Sequence, residues 1–164
     1  MQIGVLSDTH GHVGHCRQAV DLLESLDVQA VLHCGDIGSI AIVELLSAWP
    51  AHFVFGNCDA DLEELSAAIA RAGLTCHGWF ADLCLAGRRI AVTHGHLPQP
   101  LDQAQRSGEY DLVCYGHTHR AEQHWQGRTL VLNPGALYRA RPLSFAVVDL
   151  DRLTVERFTL PATT

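Results

Sequence analysis

Residues 2–11 read Gln-Ile-Gly-Val-Leu-Ser-Asp-Thr-His-Gly, a short apolar run that ends abruptly in polar residues. Ile3, Val5 and Leu6 favour a buried β-strand, which we expect over Gln2 to Ser7. Apolar residues then recur at helical spacing over 15–26 and predict a helix there. The stretch therefore predicts a strand followed by a helix, with polar side chains at the carboxyl end of the strand.

The same pattern occurs twice more along the chain. The predicted strands are Ala30 to His33 and His52 to Phe55. The predicted helices are Ile40 to Ala48, which stops before Pro50, and a second helix that runs from the N-cap Asp61 to Ala72. Successive strand–helix units require right-handed crossovers and a mostly parallel sheet that is buried on both faces.

After Gly73 the pattern changes to strands. These are Leu83 to Leu85, Arg89 to Thr93, Leu112 to Tyr115, Thr129 to Leu132, Ser144 to Leu150 and Thr154 to Leu160. The last two are joined by Asp151-Arg152 and predict a hairpin. One sheet covered by the predicted helices cannot hold so many strands. The sequence therefore predicts an α/β fold with two stacked mixed β-sheets flanked by helices, in a single domain over residues 1–164.

Composition excludes several kinds of chemistry. The formal net charge of the 164 residues is −7, and all 11 basic residues are arginine. A chain without lysine cannot form a lysine Schiff base or a Walker-A phosphate site. An acidic chain also disfavours a nucleic-acid partner, because a groove for a polyanionic backbone is basic. Composition therefore favours chemistry on a small molecule.

The six cysteines are scattered and contain no C-x-x-C pair. The segment before Asp8 is too short for a signal peptide, and no apolar run reaches the roughly 18 to 20 residues that span a bilayer. We therefore expect no membrane association and a location in the reducing cytoplasm. The cysteines are expected to behave as small buried apolar residues.

Residue types that bind metals cluster in five loops, each directly after a predicted strand. The loops are Asp8-Thr9-His10, Gly35-Asp36, Gly56-Asn57-Cys58-Asp59, His94-Gly95-His96 and Gly116-His117-Thr118-His119. Ligands gather at the carboxyl ends of strands in α/β sheets, and alternate residues of an extended segment point the same way. Asp8-Thr9-His10 or Gly35-Asp36 alone is more often an ordinary turn, and Gly116-His117-Thr118-His119 is the most specific single motif. Together, carboxylate, imidazole and amide groups favour Mn, Fe, Ni, Co or Zn over an iron–sulfur cluster or a structural zinc finger.

The order D-x-H, G-D, G-N-x-D, H and G-H-x-H resembles that of the calcineurin-like metallophosphoesterases, whose hallmark is a dinuclear metal centre. Three segments resemble the small YfcE-like phosphodiesterases and the related retromer cargo-complex subunit. They are Ser7-Asp8-Thr9-His10-Gly11, Gly56-Asn57-Cys58-Asp59 and Asn133-Pro134-Gly135. The resemblance extends from residue 3 to about residue 136.

The resemblance implies a ligand set for two divalent ions. One ion would be held by Asp8, His10, Asp36 and His119. The other would be held by Asp36, Asn57, His94 and His117, with Asp36 bridging the two. Manganese is favoured, with Ni, Zn, Fe, Co or Mg as alternatives. Catalytic roles would fall to Asp36, Asn57, Cys58 and His96, the last facing the second metal or the substrate.

The resemblance also implies a reaction. The positive charge of two divalent ions would exceed the negative charge of the carboxylates of Asp8 and Asp36, so an anionic phosphate would be attracted. Metal coordination lowers the pKa of water from about 15.7 towards neutrality. A metal-bridging hydroxide would then attack phosphorus in line and hydrolyse a phosphodiester bond in a small organic phosphate. Two alternatives remain: an interaction scaffold of low activity like the retromer subunit, and a phosphomonoesterase or nucleotidase. A homo-oligomer is also left open.

Two residues depart from the wider pattern. Cys58 stands where most calcineurin-like enzymes have a substrate-facing histidine, and a thiol is a poorer acid and a weaker hydrogen-bond donor. Ala136 stands where the branch usually has serine. Near the motifs, Asp59 is expected to orient its own loop. Arg120, Arg139 and Arg141 are candidates for a substrate phosphate, although a solvated surface role is the commoner one for arginine.

Overall fold

Two β-sheets stack face to face in the computed structural model, which describes residues 1–161. The strands are β1 (Gln2–Leu6), β2 (Ala30–His33), β3 (Ala51–Phe53), β4 (Thr75–Cys76), β5 (Phe80–Leu85), β6 (Arg88–Thr93), β7 (Leu112–Cys114), β8 (Glu122–Gln126), β9 (Thr129–Asn133), β10 (Ser144–Asp149) and β11 (Thr154–Thr159). The helices are α1 (Val13–Ser25), α2 (Ile40–Leu45), α3 (Leu62–Arg71) and α4 (Pro98–Ser107).

The first sheet has the order β11-β10-β1-β2-β3-β4. Strands β1 to β4 are parallel, whereas β10 pairs antiparallel with both β1 and β11. Leu6 lies opposite His33, and His33 lies opposite Phe53. The first three strands therefore end side by side, and the loops that follow them meet at one edge.

The second sheet has the order β5-β6-β7-β9-β8, with β6, β7 and β9 parallel and antiparallel strands at both edges. Val92 lies opposite Cys114, so β6 and β7 also end near one another. The predicted architecture of two stacked mixed sheets with helices outside is confirmed.

Burial explains why the strands are apolar throughout. Alternate side chains of both sheets meet between the sheets, among them Ile3, Val5 and Leu32 from the first and Ile90 and Leu112 from the second, all fully buried. The opposite face of the first sheet packs on α1, α2 and α3. A parallel strand buried on both faces reads as a continuous apolar run.

Three elements were absent from the sequence prediction. Strand β4 has two residues, every residue of β8 is exposed, and α4 is polar with only Ala104 buried. Proline at the start of α4 and Gly108, with a φ of 68°, after its end are the signals that mark it. Elsewhere the bounds shift by a few residues, and the predicted hairpin of β10 and β11 is confirmed.

The cysteines are all free, but the expectation that they are buried is wrong for part of the set. Cys16, Cys34 and Cys114 are buried, whereas Cys76 is half-buried and Cys58 and Cys84 are exposed. Cys84 lies on the edge strand β5 and Cys58 on a loop at the sheet edge, positions that the core does not cover.

No helix within residues 1–161 is both long and apolar enough to cross a bilayer. The single domain over residues 1–164 stays a prediction, and residues 162–164 lie outside the described part of the chain.

Candidate metal centre

The loops after β1, β2, β3, β6 and β7 meet where the two sheets end. Backbone hydrogen bonds join them in pairs. The N–H of Asp8 donates to the carbonyl of Gly35 (3.0 Å), and the N–H of His10 donates to the carbonyl of Asp36 (2.9 Å). The N–H of Gly116 donates to the carbonyl of His94 (3.0 Å). The N–H of Cys58 donates to the carboxylate of Asp36 and the N–H of His117 donates to that of Asp8, so the five loops form one hydrogen-bonded unit.

Five predicted ligands form a cluster at this edge. Nε2 of His119 lies 3.1 Å from Oδ1 of Asp8. Oδ2 of Asp36 lies 3.4 Å from Nε2 of His10 and 3.3 Å from Nε2 of His94. The Nε2 atoms of His10 and His119 are 3.4 Å apart. Nitrogen and carboxylate oxygen atoms thus converge on a small volume.

The cluster divides into overlapping sets of three. Ligand atoms within 4.8 Å of one another come from Asp8, His10 and His119 in one set and from Asp8, Asp36 and His94 in another. A third set combines His10, Asp36 and Cys58. Asp36 is within reach of histidines on both sides, which is the position that a bridging carboxylate needs.

Asn57 and His117 lie at the rim of the cluster, and both are exposed. The ring of His117 is centred 5.2 Å from the ring of His94. Nδ2 of Asn57 donates to Sγ of Cys58 (3.4 Å). The side-chain carbonyl oxygen of Asn57, which is the atom that would bind a metal, is not used in this hydrogen bond. Both predicted ligands border the cluster, and His117 is not among the histidine, cysteine and carboxylate ligands of the three sets found within residues 1–161.

Hydrogen bonds orient two ligands and leave one atom of each without a partner. Oδ2 of Asp8 accepts from the hydroxyl of Ser7 (2.6 Å) and from the N–H of His117 (3.1 Å). Nδ1 of His94 donates to the carbonyl of Cys34 (2.8 Å), since a carbonyl can only accept. Oδ1 of Asp8 and Nε2 of His94 are buried without a hydrogen-bond partner among the described residues.

Buried acceptors without partners are costly, and a bound cation satisfies them. Their second atoms are held by hydrogen bonds, as is typical of metal ligands. Oxygen and nitrogen donors on Asp8, Asp36 and His94 match the preferences of first-row divalent metals. The residues present therefore fit divalent metal ions.

The backbone adopts a rare conformation at several of these positions. Asp8, His10, Asp36, His117 and His119 have φ values between 44° and 69°. Left-handed conformations of non-glycine residues cost of order 1 kcal/mol each and concentrate at functional sites. The hydrogen-bonded loops maintain this strain and aim the side chains inward.

Two glycines are required by close approach at the centre. A Cβ at Gly56 would overlap Oδ1 of Asp36, and a Cβ at Gly116 would overlap the hydroxyl of Ser7. Any larger residue would displace a carboxylate or the group that orients it.

Asp36 is held in its ionised form. Burial raises the pKa of its carboxyl group, but the adjacent imidazole of His94 (3.3 Å) and the hydrogen bond from the N–H of Cys58 (2.8 Å) more than offset that effect. Its pKa lies well below the usual range, so the carboxylate is available as a ligand at neutral pH.

Two further side chains support the loops. The carboxylate of Asp59 accepts from the N–H of Gly56 (2.8 Å) and of Gly38 (2.9 Å), so it ties its own loop to the loop of Asp36. Nδ2 of Asn133 donates to the carbonyl of Gly116 (2.9 Å). The sequence marked Asn133 through the family-like segment Asn133-Pro134-Gly135 but gave it no structural role.

The remaining candidates lie around the opening. His96 is half-buried, its ring is centred 5.4 Å from that of His94, and its Nδ1 has no hydrogen-bond partner among the described residues. Burial and the hydrogen bond to Asp36 raise the pKa of the exposed Cys58 thiol, which is therefore protonated at neutral pH.

Arg120, Arg139 and Arg141 are all exposed. Arg139 lies over the ring of Tyr138 (5.0 Å), and that ring is centred 5.2 Å from the ring of His10. Sequence reasoning missed Tyr138, and it also missed Trp79, whose ring is centred 5.5 Å from that of His96. No local motif marks either residue.

Comparison with known proteins agrees with this geometry. A model of the calcineurin-like phosphoesterase superfamily domain matches residues 1–153. The chain is 33% identical over 140 residues to phosphodiesterase MJ0936 of Methanocaldococcus jannaschii, which spans 82% of this chain and 83% of that protein. It is 25% identical to phosphodiesterase YfcE of Escherichia coli K12, over 94% of this chain and 91% of that protein.

Solved structures show the same likeness. An archaeal phosphodiesterase superposes with a TM-score of 0.91 and 28% identity, over 98% of this chain and all (100%) of the other. Vps29 of Chaetomium thermophilum shares the fold with a TM-score of 0.72 and 18% identity, over 97% of each chain. The metallophosphoesterase family implies divalent metals, in agreement with the ligand cluster. The chain therefore belongs to the calcineurin-like phosphoesterase superfamily and is a phosphoesterase of its small, YfcE-like branch.

Proposed function

We propose that this protein hydrolyses phosphodiester bonds in small organic phosphates, using two divalent metal ions at the cluster. The observation that carries the proposal is the position of Asp36. Its ionised carboxylate lies between His10 at 3.4 Å and His94 at 3.3 Å, as a ligand shared by two ions would.

The proposed ligands of one ion are Asp8, His10, Asp36 and His119. Those of the other are Asp36, Asn57, His94 and His117. The convergence of Asp8, His10 and His119 supports the first set, and the contact of His94 with Asp36 supports the second. Manganese is the proposed metal because carboxylate, imidazole and amide ligands suit it, with Ni, Zn, Fe, Co or Mg as alternatives.

When bound, the ions would supply a water of lowered pKa as the nucleophile and would offset the negative charge of the phosphate. Hydrolysis consumes one water: its oxygen bonds to phosphorus, the ester P–O bond breaks, and the leaving oxygen takes a proton. The products are an alcohol or phenol and a phosphomonoester.

The chain's own residues would orient the substrate and its leaving group. His96 is proposed to face the reacting phosphate, where its buried and unpartnered Nδ1 would find a hydrogen-bond partner. Cys58 is proposed to face the leaving oxygen, because it is exposed next to Asp36 at the rim. As a neutral thiol it donates only weakly.

The proposed substrate is a small molecule rather than a nucleic-acid polymer. The net charge of −7 and the absence of lysine leave little basis for a polyanion-binding groove. All the proposed ligands come from one chain, so the site needs no homo-oligomer for completeness. Free cysteines on the surface support a reducing cytoplasm as the compartment.

Two alternatives use the same centre differently. A phosphomonoesterase or nucleotidase would differ in substrate contacts alone. A scaffold of low activity, like the retromer subunit, would need the fold but not the ligands, and the Vps29 likeness is one of fold.

The test compares diesters with monoesters. Metal-stripped protein is reloaded with manganese, or in parallel with Ni, Zn, Fe, Co or Mg, and assayed on bis(p-nitrophenyl) phosphate, p-nitrophenyl phosphate and nucleoside monophosphates. We expect manganese-dependent activity with a higher kcat/KM for the diester. Higher kcat/KM for monoesters would favour the phosphomonoesterase. A folded protein that binds metal but hydrolyses nothing with any of the six metals would favour the scaffold.

A further inference from the structure

Trp79 is an exposed aromatic residue on the rim of the candidate metal centre. It belongs to the short segment between β4 and β5, where the chain crosses from the first sheet to the second. Its side chain is 43% exposed, although it contacts two other rings. The ring contacts hold the side chain in place, and its exposed part is open to a bound molecule at the rim of the site.

The backbone ties this segment to both sides of the site. The carbonyl of Gly78 accepts from the N–H of Phe55 (2.7 Å), directly before the loop of Asn57 and Cys58. The carbonyl of Trp79 accepts from the hydroxyl of Thr93 (3.3 Å), directly before His94. Trp79 is therefore positioned by the same strand ends that position the ligand loops.

The ring of Trp79 makes edge-type contacts with its neighbours. Its centre lies 5.8 Å from that of Phe55 at an angle of 68° and 5.5 Å from that of His96 at 62°. His96 in turn is centred 5.4 Å from His94 and 6.3 Å from His117. Two ring contacts therefore connect Trp79 to the predicted ligands, while part of its surface stays open.

Leu97, which directly follows His96 in the chain, is also exposed (46%). Trp79 provides apolar surface beside a centre whose ligands are charged or polar. A phosphate ester with a planar aromatic substituent has matching chemistry, because its anionic group would face the ligands and its ring would face the tryptophan.

We propose that Trp79 is a specificity-determining residue that binds an aromatic group, an aryl ring or a nucleobase, carried by the phosphodiester substrate. This inference rests on the proposed function and names the substrate class. Stacking on an aromatic side chain tolerates different rings, since every ring has a π-face. Aromatic esters should therefore be preferred over alkyl esters at this site.

The test keeps the leaving group constant and varies the group that remains on phosphorus. Methyl, phenyl and thymidine 5′ esters of p-nitrophenyl phosphate all release p-nitrophenolate, so their chemistry is matched. We expect kcat/KM for the two aromatic esters to exceed that for the methyl ester. In Trp79→Ala this preference should fall about tenfold, whereas Trp79→Phe should retain most of it.

Trp125→Ala is the matched control. Trp125 is 55% exposed and lies on β8 opposite Leu130, away from the strand end that carries the loop of His117. Its removal should leave the preference unchanged. A larger preference for the thymidine ester than for the phenyl ester would assign the surface to a nucleobase, and equal preferences would assign it to any aryl group.

A binding measurement gives a second readout. Adding thymidine 5′-monophosphate or phenyl phosphate should quench tryptophan fluorescence in the wild type and in Trp125→Ala, but much less in Trp79→Ala. Inorganic phosphate should quench none of them.

An unchanged preference in Trp79→Ala, with intact hydrolysis of the methyl ester, would overturn the role of Trp79 and leave the proposed function in place. Absence of hydrolysis in the wild type would instead overturn the proposed function. The fluorescence titration alone would then decide whether Trp79 binds aromatic phosphates.

Discussion

Asp36 contacts residues of three other loops of the candidate site. It follows β2, is nearly fully buried and has a φ of 54°. One carboxylate oxygen accepts from the N–H of Cys58, and the other lies between His10 and His94. Both carboxylate oxygens of Asp36 therefore make specific contacts, and substitutions of this residue should affect the whole centre.

Asp36→Ala should lose both metal ions together. A bridging carboxylate serves each ion, and its removal leaves their mutual repulsion uncompensated. We expect activity on bis(p-nitrophenyl) phosphate to fall by at least about a thousandfold, with an unchanged circular dichroism spectrum. Metal analysis of the dialysed variant checks the assignment. One ion retained at full occupancy in a folded variant would contradict a bridging role.

Cys58 stands where the family resemblance leads one to expect a substrate-facing histidine. A missing acid costs most when the leaving group is basic, because charge then accumulates on the leaving oxygen. Cys58→His should therefore accelerate alkyl esters more than activated aryl esters. The plot of log kcat/KM against leaving-group pKa should become shallower than in the wild type. Parallel plots for the two proteins would mean that Cys58 does not face the leaving oxygen.

At the scale of elements, loops rather than helices or strands make up the site, and other side chains hold these loops. Asp59 joins the loops after β2 and β3, and Asn133 at the end of β9 accepts from Gly135 and donates to Gly116. Residues outside the ligand set therefore determine its geometry.

Asp59→Ala should weaken metal binding by about 10- to 100-fold, although the residue is not a proposed ligand. The change leaves the N–H groups of Gly38 and Gly56 without their acceptor and loosens the loop of Asp36. Isothermal titration with manganese measures the effect.

Asp61→Ala is the control for this prediction. Asp61 accepts from the N–H of Glu64 as the N-cap of α3, two residues from Asp59. Its loss should cost about 1 kcal/mol of unfolding free energy but should leave manganese affinity unchanged. Equal metal affinity in both variants would show that Asp59 has no positioning role.

At the scale of the molecule, the two sheets bring together residues that are far apart in sequence. His10 and His119 are 109 positions apart, yet their Nε2 atoms are 3.4 Å apart. The first sheet contributes Asp8, His10 and Asp36, and the second contributes His94 and His119. Formation of the centre therefore requires both sheets, and its stability is linked to global unfolding.

His33, at the end of β2, should make global stability depend on pH. Burial lowers its pKa to about 3, with a further decrease from the nearby His94. Its Nδ1 accepts from the N–H of Gly35 (3.3 Å), and its Nε2 contacts the hydroxyl of Thr9 (2.9 Å). Thr9 donates to the carbonyl of Ile37, so Nε2–H is the donor to Thr9. Protonation of Nδ1 would place its N–H opposite the N–H of Gly35, so that two hydrogen-bond donors would face each other.

The folded state binds this proton less readily than the unfolded state, in which the pKa is about 6.5. The contribution of neutral His33 to the unfolding free energy should therefore be fully present above pH 6.5. The unfolding free energy should fall as pH decreases from 6.5 towards 3, by up to about 1.4 kcal/mol per pH unit. Urea unfolding with EDTA present at each pH measures it. His33→Gln keeps a donor and an acceptor without titrating, so its stability should fall less steeply between pH 6 and 4.5. Equal slopes of unfolding free energy against pH in the wild type and in His33→Gln would show that His33 is not the source of the pH dependence.

The sequence by itself determined the class of fold and the identity of the site loops. Strands such as Ile3 to Leu6 and Leu112 to Cys114 are buried on both faces, so their apolar character is visible locally. The residues after them are polar and lie beside glycines, which marks the sheet edge as the place of chemistry. Agreement between strand pattern, loop position and residue type made the family resemblance specific, and the family match confirms it.

The tertiary structure alone decided which side chains meet and which polar segments are ordered. Strand β8 is exposed throughout and α4 is polar, so pairing with β9 and packing against the second sheet determine them rather than local pattern. Tyr138 and Trp79 carry no motif, and the segment Asn133-Pro134-Gly135 gave its asparagine no role, because these roles depend on contacts with loops from elsewhere in the chain. The physical reason is register: only the alignment of strand ends across two stacked sheets determines which distant side chains lie within bonding distance.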